Sequence, residues 1–387
     1  MKWRISKRQK KTTGVIIISL VIYWILTNKL ENIPRLHFSG QQVVRQDVNE
    51  SIPIYFYRKQ ADIGNPFRDC KFKCHLVDGM TNKENDVVVF HAPTLYENSP
   101  LKKFRGQLWV YHSMEPPTLH PESEKMQRWR NLFNWTISYR RDADILHTYG
   151  RFHSIPANKQ NQIETLSTWS SQLNKSVIFV SHCPIASKRM EYIEVLNHLY
   201  DTDVYGDCGK LICPKSEYGN CLYKLNNYKF ALAFENSICR DYVTEKMFKA
   251  YWIRTSAIPI GRGQTQYDIF LPPKSYLDTS TYPTTKELTA HMWNLSTNIT
   301  EASSYFWWKR NYVSEEVVYE GFCELCRRVH DPQLKKKYTG IYRDINAWLR
   351  GNNDINICRT PTDLPLPVKK TNFVQRLLKF LFGKTQK

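Results

Sequence analysis

Residues Phe230 to Gly263, FALAFENSICRDYVTEKMFKAYWIRTSAIPIGRG, dictate the architecture to which the remainder of the chain must conform. A short apolar run with aromatic residues, a polar turn from Glu235 to Cys239 and helical spacing at Val243, Met247 and Ala250 describe a strand, a turn and a helix. A second apolar run, Ser256 to Ile260, ends in Gly-Arg-Gly. The whole reads as one βαβ unit with polar residues at its strand tips, where ligands of open parallel sheets sit.

Asp241 is the expected N-cap of this helix, which puts Lys246 within about a turn of the helix start. There the helix dipole disfavours a cation by roughly 0.3–1 kcal/mol, and a bound anion would reverse the sign. The same arrangement occurs upstream. SVIFVS, Ser176 to Ser181, reads as a buried strand, and Met190, Ile193, Leu196 and Leu199 carry the spacing of a following helix whose first turn holds Lys188 and Arg189. Two strand-to-helix junctions with cations at the disfavoured end point to one shared anion, most simply a nucleotide diphosphate.

A net charge of +19 would suggest nucleic acid, but residues 1–11 and 369–387 each hold six Lys and Arg and no acid. The body between them is only mildly basic, which argues against a nucleic-acid partner. Gly14 to Leu26, GVIIISLVIYWIL, follows the first basic stretch and, with its flanks, reaches the length of a short membrane span. Basic residues before it keep the N-terminus cytoplasmic, and no small-residue cleavage pattern follows, so an uncleaved signal anchor is expected. This divides the chain into a cytoplasmic tail (1–13), an anchor (14–27) and a polar stem (28–50).

All ten cysteines and five N-x-[ST] sequons, at Asn49, Asn134, Asn174, Asn294 and Asn298, lie beyond the anchor, as expected of a lumenal, oxidised body. Cys70 with Cys74, and Cys323 with Cys326, have spacings that also suit zinc. An oxidising lumen favours disulfides, with the connectivity left open.

Strand-like runs at Ile54–Tyr57, Val87–His91, Leu108–His112 and Trp135–Tyr139, with a helix expected over Glu122–Phe133, make residues 51–165 an α/β domain. The polar stretch Ile155 to Lys175 is the expected link to a second α/β domain over 166–348, followed by a basic tail over 349–387. That tail could place Phe373, Leu377, Phe380 and Leu381 on a membrane surface. Trp293, Phe306, Trp307 and Trp308 are expected in the core rather than as a sugar platform.

FALAFENS, DYVTEK and P-I-G-R-G…Y…P-P-K-S-Y resemble the signature of the α1,3-fucosyltransferases, and HSMEPP and FNWTISYRRDADI resemble that family's second block. The likeness runs from about Asp86 to about Tyr312. It implies a type II Golgi membrane enzyme of GT-B architecture, in which two Rossmann-like domains face each other across a cleft. The first would bind a GlcNAc-containing glycan and the second GDP-fucose. By the same resemblance Glu115 is the general base, Arg189 and Lys246 stabilise the GDP leaving group, and Asn236, Tyr242 and Glu245 contact the donor. Here the sequence departs from the family's Glu-Ser-Pro, because Pro116 takes the serine position and removes a hydroxyl and a backbone donor. No cofactor is required on this reading, although a divalent cation such as Mn2+ could stimulate.

Two rival readings remain open in the sequence. Asp142-Ala-Asp144 and Asp201-Thr-Asp203 are Asp-x-Asp triplets of the kind that hold a divalent ion against diphosphate in GT-A enzymes. Alternatively, the chain could be a catalytically silent glycan-binding Golgi protein of the same fold, a reading against which Glu115, Arg189 and Lys246 together speak. The acceptor, whether LacNAc antenna, LacdiNAc or chitobiose core, has no pattern that decodes it.

Overall fold

The computed structural model describes residues 50–58, 63–95, 102–156, 165–317, 319–337, 340–352 and 355–364. The expected cytoplasmic tail and anchor, all but the last residue of the stem, Asn49 and residues 365–387 of the basic tail lie outside the described residues. Among the described residues no helix is long and apolar enough to cross a membrane.

Two parallel sheets form the body. The first comprises β1 (Ile52–Tyr57), β2 (Cys74–Asp78), β3 (Val87–His91), β4 (Leu108–Ser113), β5 (Trp135–Ser138) and β6 (Ile145–Leu146), in the order β2-β1-β3-β4-β5-β6. Every residue of β4 is buried, as expected of a strand covered on both faces. On one face Phe56, Val110 and Ile137 pack with Phe322 and Leu325 of helix α4 (Glu320–Val329). On the other, Phe90, Trp109 and Tyr111 pack with Phe133 and with Ile345 and Leu349 of helix α5 (Ile345–Arg350).

β7 (Gly150–Ser154) then pairs antiparallel with β14 (Tyr312–Glu316). Gly150 allows this approach, because a Cβ there would lie 2.4 Å from the ring of Phe248. The second sheet contains β8 (Leu173–Phe179), β9 (Thr202–Tyr205), β10 (Tyr228–Phe234), β12 (Ile258–Arg262) and β13 (Leu277–Asp278), in the order β13-β12-β10-β8-β9. Helices α1 (Arg189–Leu199) and α3 (Thr285–Thr297) cover one face through Tyr192, Ile193, Leu196, Leu288 and Met292. Helix α2 (Glu245–Trp252) packs Met247, Phe248 and Tyr251 beside Ala233. Because β9 and β10 lie on opposite sides of β8, the strand order switches between β8 and β10, and the carboxyl ends there open a crevice.

Several expectations change. Thr244, not Asp241, caps α2, its hydroxyl accepting from the Lys246 N–H; Asp241 instead has a φ of 61° and pairs with Arg141. Glu122–Phe133 forms only short helical turns at Ser123–Met126 and Gln127–Trp129, since the chain must dive back to deliver Phe133 to the core. Phe306 and Trp308 are buried, but Trp293 is 44% exposed, leaning on Tyr200 while its indole N–H donates to the Leu199 carbonyl.

All ten cysteines form disulfides, and the short-spaced pairs do not close on themselves. Cys70 joins Cys323 and Cys74 joins Cys326, fastening α4 to the first sheet and occupying the thiols that a zinc site would need. The others are Cys183–Cys208, Cys213–Cys221 and Cys239–Cys358. Packing also divides the chain less simply than boundaries at 165 and 348. Helices α4 and α5 return to the first sheet, and beyond α5 the strand β15 (Cys358–Arg359) pairs with β11 (Ile238–Cys239) in a separate two-stranded sheet.

Among the sequons, Asn174, Asn294 and Asn298 are exposed. Asn134 differs from these three. It is buried, and its Oδ1 accepts from Lys103 Nζ at 2.6 Å and the Trp109 N–H at 3.0 Å, so an attached glycan would break the core.

Candidate active site

Polar side chains from the carboxyl edges of both sheets meet in one cluster. Glu115 lies two residues beyond β4, on a turn in which Ser113 Oγ donates to the Glu115 carbonyl at 3.0 Å and accepts from the Glu115 N–H at 3.1 Å. Its carboxylate accepts from Tyr242 Oη at 3.5 Å, a contact that joins the two lobes. Burial raises the Glu115 carboxyl above the usual carboxylate range; Lys246 opposes the shift and Glu245 adds to it.

Arg189 begins α1 and straddles the crevice between β8 and β10. Its guanidinium donates to the Phe234 carbonyl at 3.1 Å and the His182 carbonyl at 3.2 Å, and its buried Nε has no partner among the described residues. Burial lowers its pKa, against the pull of Glu235 and Glu245. The side chain is thus placed by backbone carbonyls, with hydrogen-bonding capacity to spare.

Lys246 stands in the first turn of α2. Its ammonium donates to Thr244 Oγ1 at 2.9 Å and Glu245 Oε1 at 3.1 Å, and lies 3.3 Å from Glu235 Oε2. Burial alone would lower the Lys246 pKa; Glu235 and Glu245 outweigh it and the ammonium is held above its ordinary value. Glu245 is pushed up by burial but held below its ordinary value overall by Lys246 and Lys249. The unfavourable dipole at the helix start is therefore offset, at least in part, by carboxylates of the protein itself.

Tyr242 is buried with its ring 4.8 Å from that of Tyr139, and both line the floor of the crevice with Cys239. Asn236 accepts the Ser187 N–H through its backbone at 3.0 Å, while its side-chain Oδ1 is buried without a partner among the described residues. Glu115 lies within electrostatic reach of Tyr242, Glu245 and Lys246, Arg189 within reach of Tyr242, Glu245 and Lys246, and Asn236 adjoins them at the end of β10.

Glu235 is a residue the sequence reading missed. Fully buried, its carboxylate accepts from the Thr244 N–H at 2.8 Å and from Thr244 Oγ1, and pairs with Lys246. Burial raises its pKa, with Lys246 opposing. The signal was present: an acid at the tip of β10 stands where ligands of parallel sheets sit.

The Asp-x-Asp carboxylates are engaged elsewhere. Asp142 binds Arg140 and Arg240, and Asp144 accepts from the Thr136 N–H at 2.8 Å and from the Tyr342 hydroxyl at 2.8 Å. Asp203 accepts from Tyr228 at 2.7 Å and pairs with Lys175.

Comparison with known proteins follows this geometry. The family model described as glycosyltransferase family 10 (fucosyltransferase) C-term matches residues 169–348, and fucosyltransferase, N-terminal matches residues 49–150. Alpha-(1,3)-fucosyltransferase C of Drosophila melanogaster is 33% identical over 304 residues, 73% of this chain and 68% of the relative. Glycoprotein 3-alpha-L-fucosyltransferase A of the same organism is 33% identical over 63% of this chain, which spans about half (48%) of that relative's length. A solved α1,3-fucosyltransferase structure with GDP-fucose is similar at 17% identity and a TM-score of 0.49, covering 78% of this chain and 96% of that one. With both halves matched by family models and a relative of this identity aligned over most of its length, the chain is an enzyme of the α1,3-fucosyltransferase family.

Proposed function

We propose that this enzyme moves L-fucose from GDP-β-L-fucose to the 3-hydroxyl of GlcNAc in a glycan, with inversion, in a GT-B arrangement of two Rossmann-like lobes. The reading gives 51–165 the acceptor and 166–348 the donor. The observation that supports it is the Glu115 carboxylate, from the first sheet, lying against Tyr242 and within electrostatic reach of Lys246, from the second, where Arg189 in turn acts on Lys246. Glu115 takes the acceptor proton as the acceptor oxygen forms its bond to C1 of fucose and the bond from C1 to the diphosphate oxygen breaks. Arg189 and Lys246 take up the charge of the departing GDP, and Asn236, Tyr242 and Glu245 orient the donor. Spare hydrogen-bonding capacity at Arg189 Nε and Asn236 Oδ1 supports that assignment.

This chemistry routes no step through a metal. A divalent ion such as Mn2+ acts, if at all, as a stimulant, and comparing rates with chelator and with added Mn2+ measures its effect. Five disulfides support an oxidising lumen, and we assign the enzyme to the Golgi membrane, held by the anchor at 14–27.

The test is Glu115→Gln in the purified lumenal part. GDP affinity is expected to stay within about twofold while transfer to a GlcNAc-terminated acceptor falls by about 10²–10⁴. Turnover at the wild-type rate would remove Glu115 as base. Mass spectrometry of products from defined glycans reads out the linkage and the preferred acceptor, and GDP binding with glycan retention but no GDP release from donor would favour a silent lectin.

A further inference from the structure

The loop that carries Glu115 is wired to a buried histidine that the mechanism above does not use. Resting on the reading of Glu115 as base, we propose that His120 is a positioning residue: it fixes the main chain from which Glu115 presents its carboxylate to the crevice. His120 Nδ1 lies 2.9 Å from Tyr111 Oη, and its Nε2 lies 2.7 Å from Ser113 Oγ and 3.2 Å from the Glu115 carbonyl oxygen.

The donor bookkeeping admits a single consistent direction. Ser113 has one hydroxyl proton and donates it to the Glu115 carbonyl, so its oxygen must accept from His120 Nε2–H. Nδ1 is then an acceptor and takes the Tyr111 hydroxyl proton. The chain Tyr111 to His120 to Ser113 to Glu115 uses each proton once, and it requires the neutral Nε2–H tautomer. Burial supports that state, lowering the imidazole pKa to about 3.

From outside, Arg350 of α5 donates to the carbonyls of Pro117 at 2.8 Å, His120 at 3.3 Å and Pro121 at 2.6 Å. The turn is therefore gripped on both flanks, and Pro116 sets φ at its centre. Pro116 offers the turn neither a hydroxyl nor an N–H, and Ser113 with His120 holds it.

The experiment measures GDP affinity, donor KM, kcat and the pH profile of the lumenal enzyme for His120→Leu, His120→Gln, Ser113→Ala and the double variant His120→Leu/Ser113→Ala. Misplacing a catalytic group by about 1 Å costs on the order of 10²-fold, so His120→Leu is expected to lose 10- to 100-fold in kcat with GDP affinity and donor KM within about twofold. His120→Gln, whose amide can donate near the Nε2 position, recovers part of that loss. The double variant is no worse than the poorer single one, because both break one chain of bonds. Unchanged kcat and pH profile in His120→Leu would overturn the proposal. So would a loss matched in GDP affinity, or losses that multiply in the double variant. Should His120→Leu not fold, Ser113→Ala carries the same test. Glu115→Gln separates the two claims: its retention of activity sinks the base, whereas its loss beside an active His120→Leu sinks only the positioning role.

Discussion

Burial holds the Glu115 carboxyl protonated to a higher pH than a free glutamate, despite the nearby Lys246. Two consequences have opposite signs. In the proposed role Glu115 would act as a base only when ionised, so kcat/KM is expected to fall as pH drops through this raised value, giving an acid limb above the ordinary glutamate range. For stability, a native state that binds the extra proton more tightly than the unfolded chain is favoured at low pH and loses that advantage as pH rises through the interval between the two values. Glu115→Gln should therefore melt at a higher temperature than wild type near neutrality, with the gap closing below the ordinary glutamate range; scanning calorimetry from pH 4 to 8 checks it. Arg189 and Lys246 were legible because a helix start is a position where a cation needs a reason, and Glu115 through the family resemblance. Glu235 and His120 were not, because their meaning lies in partners that the fold supplies: Thr244 nine residues on, and a turn closed by Ser113.

Helix α2 shows how an element carries the site. Thr244 caps it, bonds Glu235 through both its N–H and its hydroxyl, and receives Lys246 Nζ. Thr244→Ala removes the cap and one carboxylate donor at once and is expected to cost about 1–3 kcal/mol, measured by urea unfolding. The βαβ pattern was readable from apolar spacing, yet the cap was misplaced by three residues. Asp241 has the chemistry of a cap, but its carboxylate is drawn instead to Arg141 on the other lobe. Propensity is local and that ion pair is not. Similarly, the spacing over Glu122–Phe133 suggested one helix, whereas Arg130 turns extended and Asn131 takes a φ of 59°, which breaks the helix before Phe133.

The whole molecule is held by long returns of the chain that no local pattern announces. The sequence left the connectivity of the short-spaced cysteines open, and Cys70–Cys323 and Cys74–Cys326 join positions 253 and 252 residues apart. The segment after α5 behaves likewise. Asp363 receives two bonds from the buried Arg262 guanidinium, at 2.8 and 2.7 Å. Burial pushes the Asp363 pKa up, but Arg262 outweighs it and holds the carboxyl below its ordinary range. Asp363→Asn is expected to lose about 1–3 kcal/mol at neutral pH. Since the folded value is depressed, that difference should persist down to the ordinary aspartate value and vanish only as pH falls through the lower one, which denaturation at pH 2 to 7 would show.

Besides the β7 and β14 pairing, the lobes are bridged by Cys239–Cys358, by Arg141 with Asp241 and by Thr118 with Ser237. Halves moored at so many points have little freedom to gape like a jaw. On the proposed function, donor and acceptor would have to enter a space whose width hardly changes through the cycle.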